Sequence, residues 1–327
     1  MNKVHMGLYL ITLFLIFIGL TKFFPYFFMY NTKFLVKNQN NSNPGSTDAH
    51  KWTCLNLGLI LLIILISVSS LNPVIRIGLS LLIFLFFYII IPFPFINICN
   101  LCMMAFSTNG PFLSTAEMRD SFPDSIILES QWDKIRWEYE CFNKDYKTSC
   151  FHKNVPGFIL DKADADNCWR TVFLKKQGRF EHNMTKHFPI TQALLSHPSI
   201  HNAMFSVLDP EVSIPGHVGY FKGYLRYHLG ISIPTDPEPP FITVGNETYK
   251  WREGEGVMFD DMYYHYVSNK AKQTRVVLFL DVLRPHLPLA VRYVRDVAAM
   301  YIENNPSLTL LVKNQHKQVT SKEENDN

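Results

Sequence analysis

Apolar residues follow two different rhythms along this chain. Three long, nearly unbroken runs come first, from about Met6 to Tyr30, Cys54 to Leu71 and Ile77 to Ile98. Each approaches the roughly 20 residues that a bilayer-spanning helix needs. Asn72-Pro73 breaks helix between the second and third runs, so these two read as a hairpin within a membrane. From about Thr115 the texture becomes globular, and Ser130–Asn143 has helical spacing, with Trp132, Ile135, Trp137 and Tyr139 set among charges. After Ile200 short alternating runs take over. Ala203–Leu208, Tyr224–Ser232, Phe241–Val244, Thr248–Trp251, Gly256–Phe259 and Thr274–Leu283 read as strands, with turns at Gly245-Asn246 and Glu253-Gly254. Many short strands at this spacing suggest a sandwich or jelly-roll barrel. Leu287–Glu303 returns to helical periodicity, and from Lys313 the chain turns polar and reads as disordered.

Charge divides the chain at the same place. Residues 1–110 carry six Lys/Arg and a single acid, Asp48, for a net +5, against +3 for all 327 residues. The remainder is therefore about −2, which lacks the basic surface that neutralises phosphates and argues against nucleic acid as a partner. A cleaved leader is the rival reading of the first run, but the apolar stretch is long and no small-residue cleavage site follows it. The loop between the first two runs carries Lys33, Lys37 and Lys51, against Lys3 and Arg76 on the other side. By the positive-inside rule, three spans would put the C-terminal domain in the cytoplasm, with a secretory lumen as the alternative. The six cysteines are Cys54, Cys99, Cys102, Cys141, Cys150 and Cys168. Cys99 and Cys102 form a CxxC without a second pair to complete a zinc site. Cys141 and Cys150 could pair if the domain lies in an oxidising lumen.

Candidate chemistry lies in the strand region. In the strand Tyr224–Ser232, alternation puts Tyr224, Arg226 and His228 on one face and Leu225, Tyr227 and Leu229 on the other. A barrel interior holding an anion would show that split, and so would a solvated face. Arg275 heads the very apolar strand Val276–Val282 and must find an anion there. Asp281 on the same face is one partner; a ligand carboxylate is the other. His217 lies on a turn-rich lead into the 224–232 strand, and His265 sits among aromatics after Asp260-Asp261. Imidazoles on adjoining strand ends would suit Fe(II) or another first-row metal.

Taken together, several blocks resemble the aspartyl/asparaginyl β-hydroxylase family, which includes bacterial lipid A acyl-chain hydroxylases. The blocks are Phe205-Ser-Val-Leu-Asp-Pro210, His217-x-Gly219, Leu225-Arg-Tyr-His-Leu-Gly230, Trp251-Arg-Glu-Gly-Glu255, Phe259-Asp-Asp261, His265, and Arg275 leading to Phe279-Leu-Asp-Val-Leu-Arg-Pro285. Weaker likenesses precede them, at Trp132-Asp-Lys-Ile-Arg136 and Trp169-Arg-Thr-Val-Phe-Leu174. Hydropathy and periodicity predict a membrane-anchored α+β chain, with transmembrane helices in residues 1–110, a C-terminal helix over 291–312 and a disordered tail over 313–327. For residues 115–290 the resemblance implies a double-stranded β-helix (jelly-roll) dioxygenase domain. It further implies Fe(II) held by His217 and His265, and 2-oxoglutarate held by Arg275 with Ser206. Arg226 and His228 would contact the metal-proximal end of that cosubstrate, and Trp169 would line its pocket. O2 completes the set, and the implied reaction oxidises 2-oxoglutarate to succinate while hydroxylating an unactivated C–H.

Two positions depart from parts of the family. Gly219 stands where the lipid A hydroxylases have an acid, as it does in the animal protein hydroxylases. Tyr224 replaces an Arg that the protein hydroxylases use toward an acidic substrate, although Lys222 is nearby. Asp260 and Asp261 resemble shared framework and are not assigned to iron. Three functions compete: hydroxylation of a lipid acyl chain at a bilayer, β-hydroxylation of a protein Asp or Asn side chain in a secretory lumen, and a non-catalytic, membrane-tethered binding module. The sequons Asn183-Met-Thr185 and Asn246-Glu-Thr248 are compatible with the second.

Overall fold

The computed structural model describes residues 72–75, 77–79, 93–148, 150, 168–304 and 319–321. The apolar runs at 6–30 and 54–71, and most of the run at 77–98, lie outside the described residues. Among the described residues no helix is long and apolar enough to cross a membrane. Residues 73–75 are helical, and the Asn72 side-chain carbonyl accepts the Val74 amide at 2.9 Å; the run expected to end at Asn72 lies outside the described residues. Contacts divide the chain into two units, residues 1–101 with 305–307 and residues 102–304 with 308–327. The strands all belong to the second.

The described elements run α1 (Phe93–Met104), α2 (Thr115–Ser121), α3 (Ser125–Ser130), α4 (Trp132–Asp145), β1 (Tyr146–Thr148), β2 (Trp169–Lys176), β3 (Arg179–Phe180), α5 (His182–Thr185), α6 (Pro189–Leu194), β4 (Ile200–Leu208), β5 (Ser213–His217), β6 (Tyr224–Ser232), β7 (Phe241–Val244), β8 (Glu247–Lys250), β9 (Gly256–Phe259), β10 (His265–Ser268), β11 (Arg275–Leu283), α7 (Leu289–Asn304) and β12 (Val319–Ser321). One antiparallel sheet has the order β3-β2-β4-β11-β6-β9 and a second the order β5-β10-β7-β8. These two sheets are the jelly-roll architecture expected from the strand spacing.

Strand alternation builds two cores from the larger sheet. Phe205, Val207, Leu225, Tyr227, Leu229, Leu278 and Leu280 face outward and pack with Ile135, Tyr139 and Phe142 of α4 and with Phe188. Leu208, Val257, Phe259 and Val277 face inward against Ile214, Ile242, Val244 and Val267 of the smaller sheet. Helices are anchored by polar side chains as well. The buried Glu138 carboxylate of α4 accepts the Ile190 and Thr191 amides at 2.7 and 2.8 Å, capping α6 where its own backbone leaves amides unpaired.

Three expectations are corrected. Cys150 is bonded to Cys168, not to Cys141, because an isolated bridge between Cys150 and Arg170 brings it beside the start of β2, while Cys141 stays on α4. Residues 319–321, expected within a disordered tail, form β12 and pair with β1. The strands β5 and β10 were not foreseen. Pro215 and Gly216 disguise β5, which is tolerated as an edge strand where a missing amide leaves no ladder bond unmade.

Phe205 lies 4.9 Å from the Tyr139 ring and 5.3 Å from Phe188 and is fully buried. Phe205→Ala should therefore cost about 3–5 kcal/mol of stability, seen as a lowered denaturant midpoint in urea unfolding followed by circular dichroism.

Candidate active site

The two strands that escaped the sequence bring the two histidines together. His217 closes β5 and His265 opens β10, and the two are direct antiparallel partners with ring centroids 4.2 Å apart. Each Nδ1 lies 2.9 Å from a backbone carbonyl, Pro215 for His217 and Tyr263 for His265. A carbonyl only accepts, so the imidazole proton sits on Nδ1 and the lone pair on Nε2. Burial, and next the neighbouring His265, push His217 down to about 3, while burial pushes His265 down to about 4. Both rings are thus neutral near pH 7, which is the form that ligates metal.

Gly219 has a neighbour that explains it. A Cβ at this position would overlap the Asp261 carboxylate, and the Gly219 amide donates to the Asp261 carbonyl at 2.6 Å. The carboxylate thus occupies the space of a residue-219 side chain, although it comes from the turn before His265. Asp261 also accepts from Arg226 Nε at 2.8 Å, and its Oδ1 is buried without a hydrogen-bond partner. Asp260 does something else: it is ion-paired with Lys222 and with Arg284 and accepts from Asn109, which makes it framework. Among the described residues no group of three or more His, Cys, Asp or Glu is arranged to hold a metal ion, so the pair of imidazoles stands without a third protein ligand.

The inner face of the larger sheet carries the remaining candidates. Trp169 and Ser206 lie on adjacent strands, with Trp169 Nε1 donating to Ser206 Oγ at 2.9 Å. Arg275 is 1% exposed; one guanidinium nitrogen reaches the Ser206 carbonyl at 3.2 Å and its Oγ at 3.3 Å, and the fork lies 4.9 Å from the Trp251 ring. Burial pulls Arg275 down to about 9, so the group stays cationic at neutral pH while remaining poorly compensated. Asp281 is not its counter-ion. That carboxylate is ion-paired with Arg226 and accepts from Asn202 at 2.7 Å.

Several polar atoms on this face have no hydrogen-bond partner. Arg275 Nε, both ring nitrogens of His228, Trp251 Nε1 and Thr171 Oγ1 are buried with no hydrogen-bond partner. Burial, and then the nearby Arg275 charge, hold His228 well below its usual range. Buried polar groups in native proteins are normally satisfied, so a cluster of orphans rich in donors and centred on a cation fits an anionic ligand. This donor set suits a carboxylate at its Arg275 end. Arg226, by contrast, is engaged by both Asp261 and Asp281 and lies 4.7 Å from the Phe279 ring. Its guanidinium is held by protein acids instead of standing open beside His228.

Sequence reasoning missed Thr171, Trp251 and Asp261. Alternation would have found Thr171, two residues beyond Trp169 on the same face of β2, and Trp251 opens one of the quoted blocks. No local signal reveals Asp261, because its role depends on a space left by a glycine 42 positions earlier.

The comparisons agree on one family likeness. Residues 129–285 match the model described as aspartyl/asparaginyl beta-hydroxylase. That segment is similar to the aspartyl/asparaginyl beta-hydroxylase family. An ornithine lipid ester-linked acyl 2-hydroxylase from Rhizobium tropici is 33% identical over 183 residues, covering 54% of this chain and 62% of that one. The mouse aspartyl/asparaginyl beta-hydroxylase is 34% identical over 135 residues, 39% of this chain and 17% of its own length. Aspartate beta-hydroxylase domain-containing protein 2 from Xenopus tropicalis is 28% identical over 183 residues, 53% of this chain and 48% of that one. The chain thus spans less than two thirds of each of these relatives. All three matches fall short of half or barely exceed half of this chain, as a shared domain with different surroundings would.

If Asp261 takes the space of a residue-219 side chain, the two positions are coupled. Gly219→Ala should destabilise the domain by about 1–3 kcal/mol through overpacking, and adding Asp261→Gly should recover part of that loss. Thermal melts of the two single variants and the double variant measure the coupling, and strict additivity would refute it.

Proposed function

We propose that this chain is an Fe(II)- and 2-oxoglutarate-dependent dioxygenase that hydroxylates an unactivated C–H bond. The observation that carries this reading is the juxtaposition of two neutral imidazoles, paired across β5 and β10 with each Nδ1 held by a backbone carbonyl, and a buried cation ringed by orphan donors. Iron, when bound, supplies the oxidising chemistry together with O2 and the 2-oxo acid.

The protein's own residues do the binding and shaping. His217 and His265 would hold the ion through Nε2. Arg275 offers a planar fork to the distal carboxylate of the cosubstrate, which a lysine would match less well. Ser206, fixed by Trp169, presents its hydroxyl at the same place, and Thr171 stands beside it on β2, since Thr171 and Ser206 are register partners. His228 supplies ring nitrogens without using them on the protein, and Trp251 closes over the guanidinium and keeps water away. Asp261 places a negative charge near His217 and, oriented by Arg226, can accept a hydrogen bond from water completing the metal shell.

Two substrate classes fit. A lipid acyl chain is supported by the Rhizobium relative's named activity and by the commitment of nearby cations: Lys222 is ion-paired with Asp260, Arg226 with two acids, and Tyr224 is buried. A protein Asp or Asn side chain is supported by Gly219 and by the mouse relative's named activity. The three apolar runs of the first 110 residues support anchoring at a bilayer under either reading.

Purified protein supplied with Fe(II), O2 and 2-oxoglutarate should release succinate, and His265→Ala should abolish it; if the unaltered protein yields no succinate, the binding-module reading takes over. Arg275→Gln should raise the KM for 2-oxoglutarate by about 10-fold or more while Fe(II) binding persists, since a charge-assisted pair is lost. Mass spectrometry for products heavier by one oxygen, in lipid and protein fractions of cells with and without the gene, separates the two substrates.

A further inference from the structure

We propose that Asn246 carries an N-linked glycan and that the catalytic domain accordingly faces an oxidising secretory lumen. Two independent features meet in this inference. The first is the Cys150–Cys168 disulfide, whose residues are 5% and 0% exposed. It lies at the root of β2, where the Cys168 amide donates to Asp209 at 3.0 Å, one residue before Trp169. The reducing cytosol keeps thiols apart, whereas a disulfide-exchange oxidant in the secretory lumen takes two electrons as two thiol protons leave. A cystine built into the foundation of a site-bearing strand therefore belongs to that compartment.

The second feature is the placement of the Asn246-Glu-Thr248 sequon. It occupies the hairpin between β7 and β8, where Gly245 takes a φ of +58 and Asn246 forms the exposed tip. Glu247 and Thr248 are exposed too, with the Thr248 hydroxyl 2.9 Å from that of Thr243 across the hairpin. β8 is an edge strand, so a bulky group at this tip disturbs no ladder. The other sequon is less well displayed: Asn183 is exposed but lies within the helical turn α5, where the Thr185 hydroxyl donates to the His182 carbonyl at 2.9 Å. Surface turns are where glycans are accommodated.

The modification is a group transfer. The Asn246 amide nitrogen bonds to the anomeric carbon of an oligosaccharide, the bond from that carbon to a lipid diphosphate breaks, and the amide proton leaves with the diphosphate. The tip sits at the His265 end of the smaller sheet, since Val244 pairs with His265 and the Gly245 amide donates to the Tyr264 carbonyl at 2.8 Å. A glycan there would flank the candidate active site and restrict approach from the β7–β8 side. This placement chooses the lumen over the cytoplasmic side suggested by the lysine distribution.

The test uses the full chain expressed in a eukaryotic cell. Digestion with peptide N-glycosidase should shift the band to higher mobility and leave Asp at position 246 in peptide mass maps. Asn246→Gln and Thr248→Ala should each remove that step, whereas Thr248→Ser should keep it. Alkylation before reduction should find Cys150 and Cys168 protected and joined in one non-reduced peptide. An unmodified Asn246 in the full chain overturns the proposal whatever the state of Asn183, and so do Cys150 and Cys168 recovered as alkylated thiols. Neither readout depends on turnover, so failure here leaves the dioxygenase reading to its own test.

Discussion

A guanidinium sealed inside a β-sandwich with one carbonyl and one hydroxyl for company costs the fold several kcal/mol of lost hydration. Arg275 is in that position, and much of the surrounding structure is arranged to hold it there. Ser206 meets it, Trp169 fixes Ser206, and Trp251 covers the remaining face. Asp281 shares the strand face but stands six residues along it, roughly 20 Å away, and is paired with Arg226. Arg275 is thus left with no acid beside it, an arrangement that stability alone does not favour.

The imidazole side follows the same economy of means. Two imidazoles come from neighbouring strands, and the carboxylate that might have stood two residues after His217 is replaced by a glycine whose space is filled from the other strand's turn. The negative charge is present but shifted off the chain position where sequence would seek it. Arg226 then becomes a support for that displaced carboxylate, which differs from the cosubstrate contact that the family likeness implied.

Strands bounded by clear turn residues were legible in the sequence: Tyr224–Ser232, Phe241–Val244 and Gly256–Phe259 appear with the bounds expected. Leu225, Tyr227 and Leu229 pack with the helices as alternation implied, while Arg226 and His228 lie on the opposite face and Tyr224 bonds His201. The strands bearing the histidines were hidden, β5 by Pro215 and Gly216 and β10 by the run Tyr263-Tyr-His-Tyr266, whose consecutive aromatics mask any alternation. Partner choice was hidden as well. Cys150 and Cys168, Arg226 and Asp261, and Gly219 and Asp261 are matched only by tertiary register, which no local pattern encodes.

β5 has a consequence for how the domain breathes. It is an edge strand, bonded on one side to β10 alone, and it carries half of the imidazole pair. An ion shared by His217 and His265 would act as a clasp across that single seam, so occupancy and the closing of the sheet edge would be thermodynamically linked. The empty domain would then fray first at the strand it most needs for its chemistry. Loading with metal would register as slowed amide exchange confined to Ser213–His217, far from the helices that carry most of the packing.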